Sequence, residues 1–296
     1  RMVWGPIEEI RRAGRVIIAA DGVLHRVPFA ALPSPHHRNR ALGLEQELMQ
    51  IPSASALPLL RSRVRARGKP KVQLAIFADP VYHARDSRMR RYSGKYALHE
   101  ERGLPLARLQ EGLQEVHALA PLVEPGESLT FTGFRASKAA LTEVASGNIR
   151  FLHLSAHARV DEYNPETSWI ALSQFDEKGE RQEGLLSLHD IYRLDLPVEL
   201  VFAAACETAA GPAPGREGPM SLARGFLHAG ASRVVATLWQ VQEESAVEYV
   251  RFFYGSLLGS ETVTVPRALL LARQRMARSG RWQDPYHWAP YVMYGM

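Results

Sequence analysis

The chain has 296 residues, 46% of them hydrophobic and 23% charged, an ordinary globular composition with enough length for one large domain or two small ones. Its net charge of +5, from 36 basic and 31 acidic residues, is a modest excess that says little about partners. No apolar stretch approaches the length of a membrane span and no signal-peptide pattern opens the chain, so no membrane role is expected.

Cys206 is the one cysteine, which rules out an intrachain disulfide and points to a reducing, cytoplasmic setting. The first residue is Arg1 rather than Met, which reads as the start of a piece cut from a longer protein. In chain order, the apolar run 16–20 predicts a strand, and Asp21-Gly22 before Val23 and Leu24 predicts a β-hairpin, because Gly takes the positive φ that a tight turn needs. Pro28 and Pro33 block regular structure after it. A short serine-capped helix is expected over 53–61. The Arg- and Lys-rich stretches 61–71 and 85–91 read as solvated connections. Nucleic-acid contact is the alternative, but neither has the aromatic interleaving of a single-strand platform. Residues 1–71 are expected to form an N-terminal hairpin subdomain, and 72–296 the main body.

From residue 72 a regular alternation begins. A strand over 72–78 ends at Asp79-Pro80, and a polar segment follows to residue 102, too rich in Arg, Tyr and Gly to form core. Leu109, Leu113, Val116 and Ala120 give helical spacing over 106–122. Further strands are predicted over 128–132, 149–155, 199–206 and 232–238, with a short strand at 169–172 paired with the region of Leu185. Helices fall at 137–145, 187–192, 220–229, 243–258 and 266–279, and the aromatic tail 282–296 packs on the body. This alternation specifies a mostly parallel sheet with helices on both faces.

Two of the strands end on reactive side chains: 149–155 runs out at His157, and 199–206 closes on Cys206. In open α/β sheets the functional crevice lies outside the carboxyl ends of the strands, so if the two strands are neighbours a thiol and its base emerge together. Most buried cysteines do no chemistry, but Cys206 stands at the strand end, before a turn whose N–H groups can lower the thiol pKa and stabilise an oxyanion. His153 reads as a core histidine. It cannot share a zinc ion with His157, because four residues of strand span about 13 Å. No metal motif, G-x-S-x-G elbow or nucleotide-phosphate loop is present, and no cofactor is expected.

A lone cysteine with a histidine about 50 residues upstream, each at a strand end, is a caspase-type arrangement. The surrounding residues carry the resemblance further. The run Phe151 to His157, the run Ala204-Ala205-Cys206-Glu207-Thr208, Glu217-Gly218-Pro219-Met220-Ser221, Thr237-Leu238-Trp239 and Pro285-Tyr286-His287-Trp288 together resemble the CHAT family of caspase-like proteins. Asp21-Gly22 with Val27-Pro28-Phe29, and Phe77-Ala78-Asp79-Pro80, are similar to that family's N-terminal part.

The resemblance implies a caspase-hemoglobinase-like three-layer α/β sandwich and a cysteine endopeptidase with a His/Cys dyad. Cys206 would be the nucleophile, His157 the proton-transfer group, and the backbone N–H groups of Ala158 and Cys206 the oxyanion hole. Ala158 stands where the family usually has Gly, and a positive φ there would be strained for Ala. The family often follows tetratricopeptide repeats, which implies an upstream repeat or sensor region. Its members act in bacterial defence, some cleaving gasdermins, which implies a protein substrate and allosteric activation. Related peptidases use an acidic residue to select Arg or Lys before the scissile bond. Asp161, Asp190 and Glu207 are candidates by proximity, although loop acids are mostly solvated and Asp190 can simply cap a helix. The alternative reading is a catalytically silent caspase-like scaffold.

Overall fold

A computed structural model describes residues 13–35, 37, 39–59, 61, 70–92, 106–161, 164–203, 207–208 and 220–296. One sheet is built from β1 (Arg15–Ile18), β2 (Glu47–Gln50), β3 (Val72–Pro80), β4 (Ser128–Gly133), β5 (Ile149–Ser155), β9 (Leu200–Ala203), β11 (Arg233–Thr237) and β12 (Tyr291–Gly295), in the spatial order β1-β2-β12-β11-β9-β5-β3-β4. A smaller sheet holds β6 (Ala158–Val160), β7 (Trp169–Ala171), β8 (Leu185–Ser187) and β10 (Glu207–Thr208), in the order β10-β6-β7-β8. Neighbouring strands of the large sheet are parallel except at the β11–β12 junction, beyond which β12, β2 and β1 run opposite to the other five.

The period of two along each central strand makes the layers. Ala75 and Phe77, with Leu152, Leu154, Val201 and Ala203, face one side, where α2 (Lys138–Ala145), α3 (Leu188–Arg193) and α4 (Met220–His228) lie. Leu74, Ile76 and Ala78, with Phe151, Leu200 and Phe202, face the other, covered by α1 (Gly112–Leu119), α5 (Glu243–Leu258) and α6 (Val265–Arg278). Both faces of these strands are buried, which is why they read as continuous apolar runs rather than alternating ones. Strand β5 occupies the residues expected of it, and β7 and β8 form the expected hairpin.

The N-terminal hairpin does not form. Gly22 takes the positive φ of 53°, but it opens a 3-10 turn, Gly22–Arg26, capped by the Asp21 side chain. The chain then travels to Glu47 before pairing, and β1 lies parallel to β2. The Asp-Gly signal locates a turn; it cannot say whether the next apolar run is the partner. Residues 15–50 therefore extend the main sheet, joined to it through β12.

Three other expectations are corrected. Segment 81–92 contributes a small core of its own, with Val81 and Met89 buried against Phe175. The helix expected from residue 106 starts at Gly112. The aromatic tail enters the sheet as β12 rather than lying on its surface.

Candidate active site

Strands β5 and β9 are hydrogen-bonded neighbours, with Leu154 opposite Ala203 at their carboxyl ends. The chain leaves β5 through Ala156 and His157 and turns into β6. Beyond β9, residues 204–206 lie outside the described residues, and with them Cys206. The chain is described again at Glu207 and Thr208, which pair in parallel with Arg159 and Val160 of β6. The backbone on both flanks of residues 204–206 is thus fixed beside the segment that begins at His157.

His157 is held both at its backbone N–H and at its ring. Its backbone N–H donates to the Tyr82 hydroxyl at 3.3 Å, and the two rings meet with centroids 5.2 Å apart. Burial pushes the Tyr82 phenol well above its ordinary pKa, so the hydroxyl stays neutral. On the ring, Nε2 lies 2.8 Å from the Ala107 carbonyl oxygen. A carbonyl can only accept, so Nε2 carries the proton and Nδ1 of the neutral ring is left as an acceptor.

Ala158 is buried in β6 opposite Ile170. Among the described residues the one non-glycine positive φ belongs to Asp79, at 50°, so the backbone strain expected at Ala158 does not arise. The Ala171 N–H donates to the His157 carbonyl at 2.7 Å. That bond makes 157 and 171 a bonded position of the antiparallel ladder and 158 and 170 the alternate one, in which the Ala158 N–H turns away from β7. It points to the edge where β10 lies.

The three acids singled out in the sequence do different things. Asp161 accepts the Asn164 N–H at 2.9 Å and orders its own loop. Asp190 completes a capping box with Ser187 at the start of α3 and pairs with Lys138 at 2.8 Å. Glu207 lies in β10, and its side chain falls outside the described residues.

The sequence reading missed the groups that surround His157. A cavity of about 70 Å³ opens beside it, bounded by the exits of β5 and β11, the start of α1, the start of α5 and Tyr291. Three carboxylates line it: Glu111, Glu115 and Glu243. Glu115 is taken up by His153, whose Nε2 lies 2.8 Å away. Glu243 accepts the backbone N–H of Glu111 at 3.2 Å, and Glu111 Oε2 is buried without a hydrogen-bond partner. Among the described residues, no Lys or Arg lines this cavity. Among the described residues, no group of three His, Cys, Asp or Glu side chains is arranged to hold a metal ion, and no helix is long and apolar enough to cross a membrane.

A model of the CHAT domain matches residues 1–296. The chain belongs to the CHAT domain family. Tetratricopeptide repeat protein 28 from Homo sapiens and from Mus musculus are each 32% identical to it over 114 residues, which is 38% of this chain and 4% of theirs. The CHAT chain thus spans a very small part of the curated relatives it matches. Among solved structures, a chain of the Saccharomyces cerevisiae separase–securin complex is similar with a TM-score of 0.53 at 14% identity, over 95% of this chain and 15% of that one. The complex of the pro- and mature domains of RgpB from Porphyromonas gingivalis gives a TM-score of 0.51 at 9% identity, over 85% of this chain and 55% of that one. At these identities the likeness speaks for the fold alone, and the fold is that of caspase-like cysteine peptidases.

Proposed function

We propose that this CHAT domain is a cysteine endopeptidase that cuts a protein partner through an acyl-enzyme on Cys206, with His157 as the proton-transfer group. The observation that carries this reading is the hydrogen bond from His157 Nε2 to the Ala107 carbonyl, since it leaves Nδ1 free to take a thiol proton. The pairing of β5 with β9, and of β10 with β6, supports it by flanking Cys206 with backbone that runs beside His157.

In the reaction, His157 Nδ1 accepts the thiol proton as the sulfur adds to the scissile carbonyl carbon. The C–N bond then breaks, and the imidazolium returns that proton to the departing amine. Water, deprotonated by the same nitrogen, hydrolyses the thioester, releasing the carboxylate and restoring the thiol. The N–H groups of Ala158 and Cys206 receive the oxyanion, a role supported by the direction of the Ala158 N–H away from β7.

The carboxylates of Glu111 and Glu243 beside His157 support a preference for Arg or Lys before the cut, and Glu207 is a further contact in this reading. Asp161 and Asp190 are secondary candidates, since both carboxylates already serve local structure. The likeness to tetratricopeptide repeat proteins supports a full-length protein with a repeat or sensor region that controls cleavage. We place the activity in the cytoplasm, in bacterial defence, with a gasdermin or another defence effector as the substrate class.

The test is a cleavage profile of purified protein against a mixed peptide library, with labelling by a thiol-reactive peptide probe. The wild type is expected to cut and to be labelled, while Cys206→Ala and His157→Ala lose both with the fold intact. Undiminished cleavage by Cys206→Ala would sink the proposal. A wild type that neither cuts nor labels is the catalytically silent scaffold instead.

A further inference from the structure

Asp79 closes β3, is 2% exposed, and takes a positive φ of 50°. It sits where the register against β4 shifts between Ala78 and Pro80. A bulge of this kind re-aims a side chain, and a non-glycine residue in the left-handed region is strained, so the surroundings must hold it in place.

Two arginines do the holding. Arg108 grips the carboxylate as a fork, Nε to Oδ1 and Nη2 to Oδ2, both at 2.8 Å. Arg88 Nη1 donates to Oδ2 and to the Asp79 carbonyl, each at 2.8 Å. Its other nitrogens reach Asp86, with Nη2 to Oδ2 at 2.6 Å. Forked, charge-assisted bonds of this kind fix geometry as well as adding energy.

The two segments tied down in this way hold the His157 backbone N–H and its ring nitrogen Nε2. Arg88 folds the loop after β3 back onto Asp79, and that loop carries Tyr82, whose hydroxyl accepts the His157 backbone N–H. Arg108 adjoins Ala107, whose carbonyl accepts the proton on Nε2. One buried carboxylate therefore lies behind both contacts.

We propose that Asp79 is a positioning residue for His157, acting through Arg108 to hold the Ala107 carbonyl where it keeps the ring proton on Nε2. This rests on the peptidase reading of His157. Without the clasp the 106–109 segment relaxes, Nε2 loses its acceptor, and part of the population moves its proton to Nδ1. In that tautomer the nitrogen that must accept the thiol proton is already occupied.

Arg108 is the residue to change, because its side chain is 35% exposed and its loss leaves Arg88 still paired with Asp79. Peptide cleavage and the imidazole 15N spectrum are measured on the same full-length chain, with the His157 signals assigned by difference from His157→Gln. Arg108→Ala is expected to lower kcat on the order of 10²-fold, the cost of a misplacement near 1 Å, with KM unchanged and a mixed tautomer at His157. Arg108→Lys, which keeps one charged donor, is expected to fall between. A folded Arg108→Ala that keeps both wild-type kcat and the Nε2–H tautomer would overturn the proposal. If the wild type cuts nothing, the peptidase reading fails, and the tautomer in Arg108→Ala still decides whether the clasp positions the ring.

Discussion

His153 and Glu115 meet 2.8 Å apart inside the molecule, joining the middle of β5 to α1. The imidazole stacks on Phe202, with centroids 5.3 Å apart, and meets Tyr254 edge-on. Glu115 also lines the cavity beside His157, so the pair links the strand that delivers the histidine to the helix that supplies one of the cavity's acids.

Glu115→Ala leaves His153 Nε2 without its partner among aromatic rings. Truncating one member of a buried polar pair costs about 3 kcal/mol, and urea unfolding should show a loss of that order. Glu115→Gln keeps a hydrogen-bonding side chain at the same place and should lose less.

Ala158→Gly tests whether this position favours glycine. Because Ala158 is extended within β6 and buried, glycine relieves no strain and adds backbone entropy to the unfolded chain. The variant should be less stable by about 0.5–1 kcal/mol in urea unfolding, with no gain in cleavage rate. A faster or more stable variant would show that Ala158 is strained.

Gly112→Ala tests the close approach of α1 to β3. A Cβ at Gly112 would stand 3.0 Å from the Asp79 backbone nitrogen, and that nitrogen belongs to a residue held by two arginines. Alanine favours helix by about 1 kcal/mol over glycine, but crowding fixed backbone costs about 1–3 kcal/mol. The net expectation is a loss of about 1 kcal/mol in thermal or urea unfolding, together with a slower kcat.

The Lys138–Asp190 pair makes stability depend on pH. For Asp190 burial opposes ionisation, but hydrogen bonds from Lys138 and Ser187 prevail and hold the carboxyl below its ordinary 3.8. A depressed pKa contributes stability above the ordinary value and loses it as pH falls through the folded one. For Lys138 burial likewise works against the charge, yet the carboxylates of Asp190 and Glu183 raise it above 10.5, so its contribution is present below 10.5 and is lost as pH rises past the folded value. In urea midpoints taken across pH, Asp190→Asn should flatten the acid limb below about 4.

The strands that aim the site were legible because both faces of the sheet are covered, which turns β3, β5 and β9 into uninterrupted apolar runs. The adjacency of β5 and β9 was only a condition at that stage, and the structure meets it; Asp190 was readable as a helix cap, and it is one. The contacts of His157 were hidden for a physical reason. Its ring partner is a backbone carbonyl, which every residue possesses, and Ala107 carries no side-chain signature. Asp79 looked like a strand terminator beside proline, and nothing local announces that Arg88 and Arg108 converge on it. The partner of β1 was equally invisible, since parallel pairing over some thirty residues depends on a strand near the far end of the chain.

That strand, β12, has two roles. It lies between β11 and β2, so β1 and β2 reach the central sheet only across Tyr291–Gly295. The central strands β3, β4, β5, β9 and β11 pair with one another without it, whereas β1 and β2 join them only through it. Tyr291, which also walls the cavity beside His157, belongs to the strand that admits them. Closing the sheet and walling the cavity beside His157 therefore depend on one and the same strand.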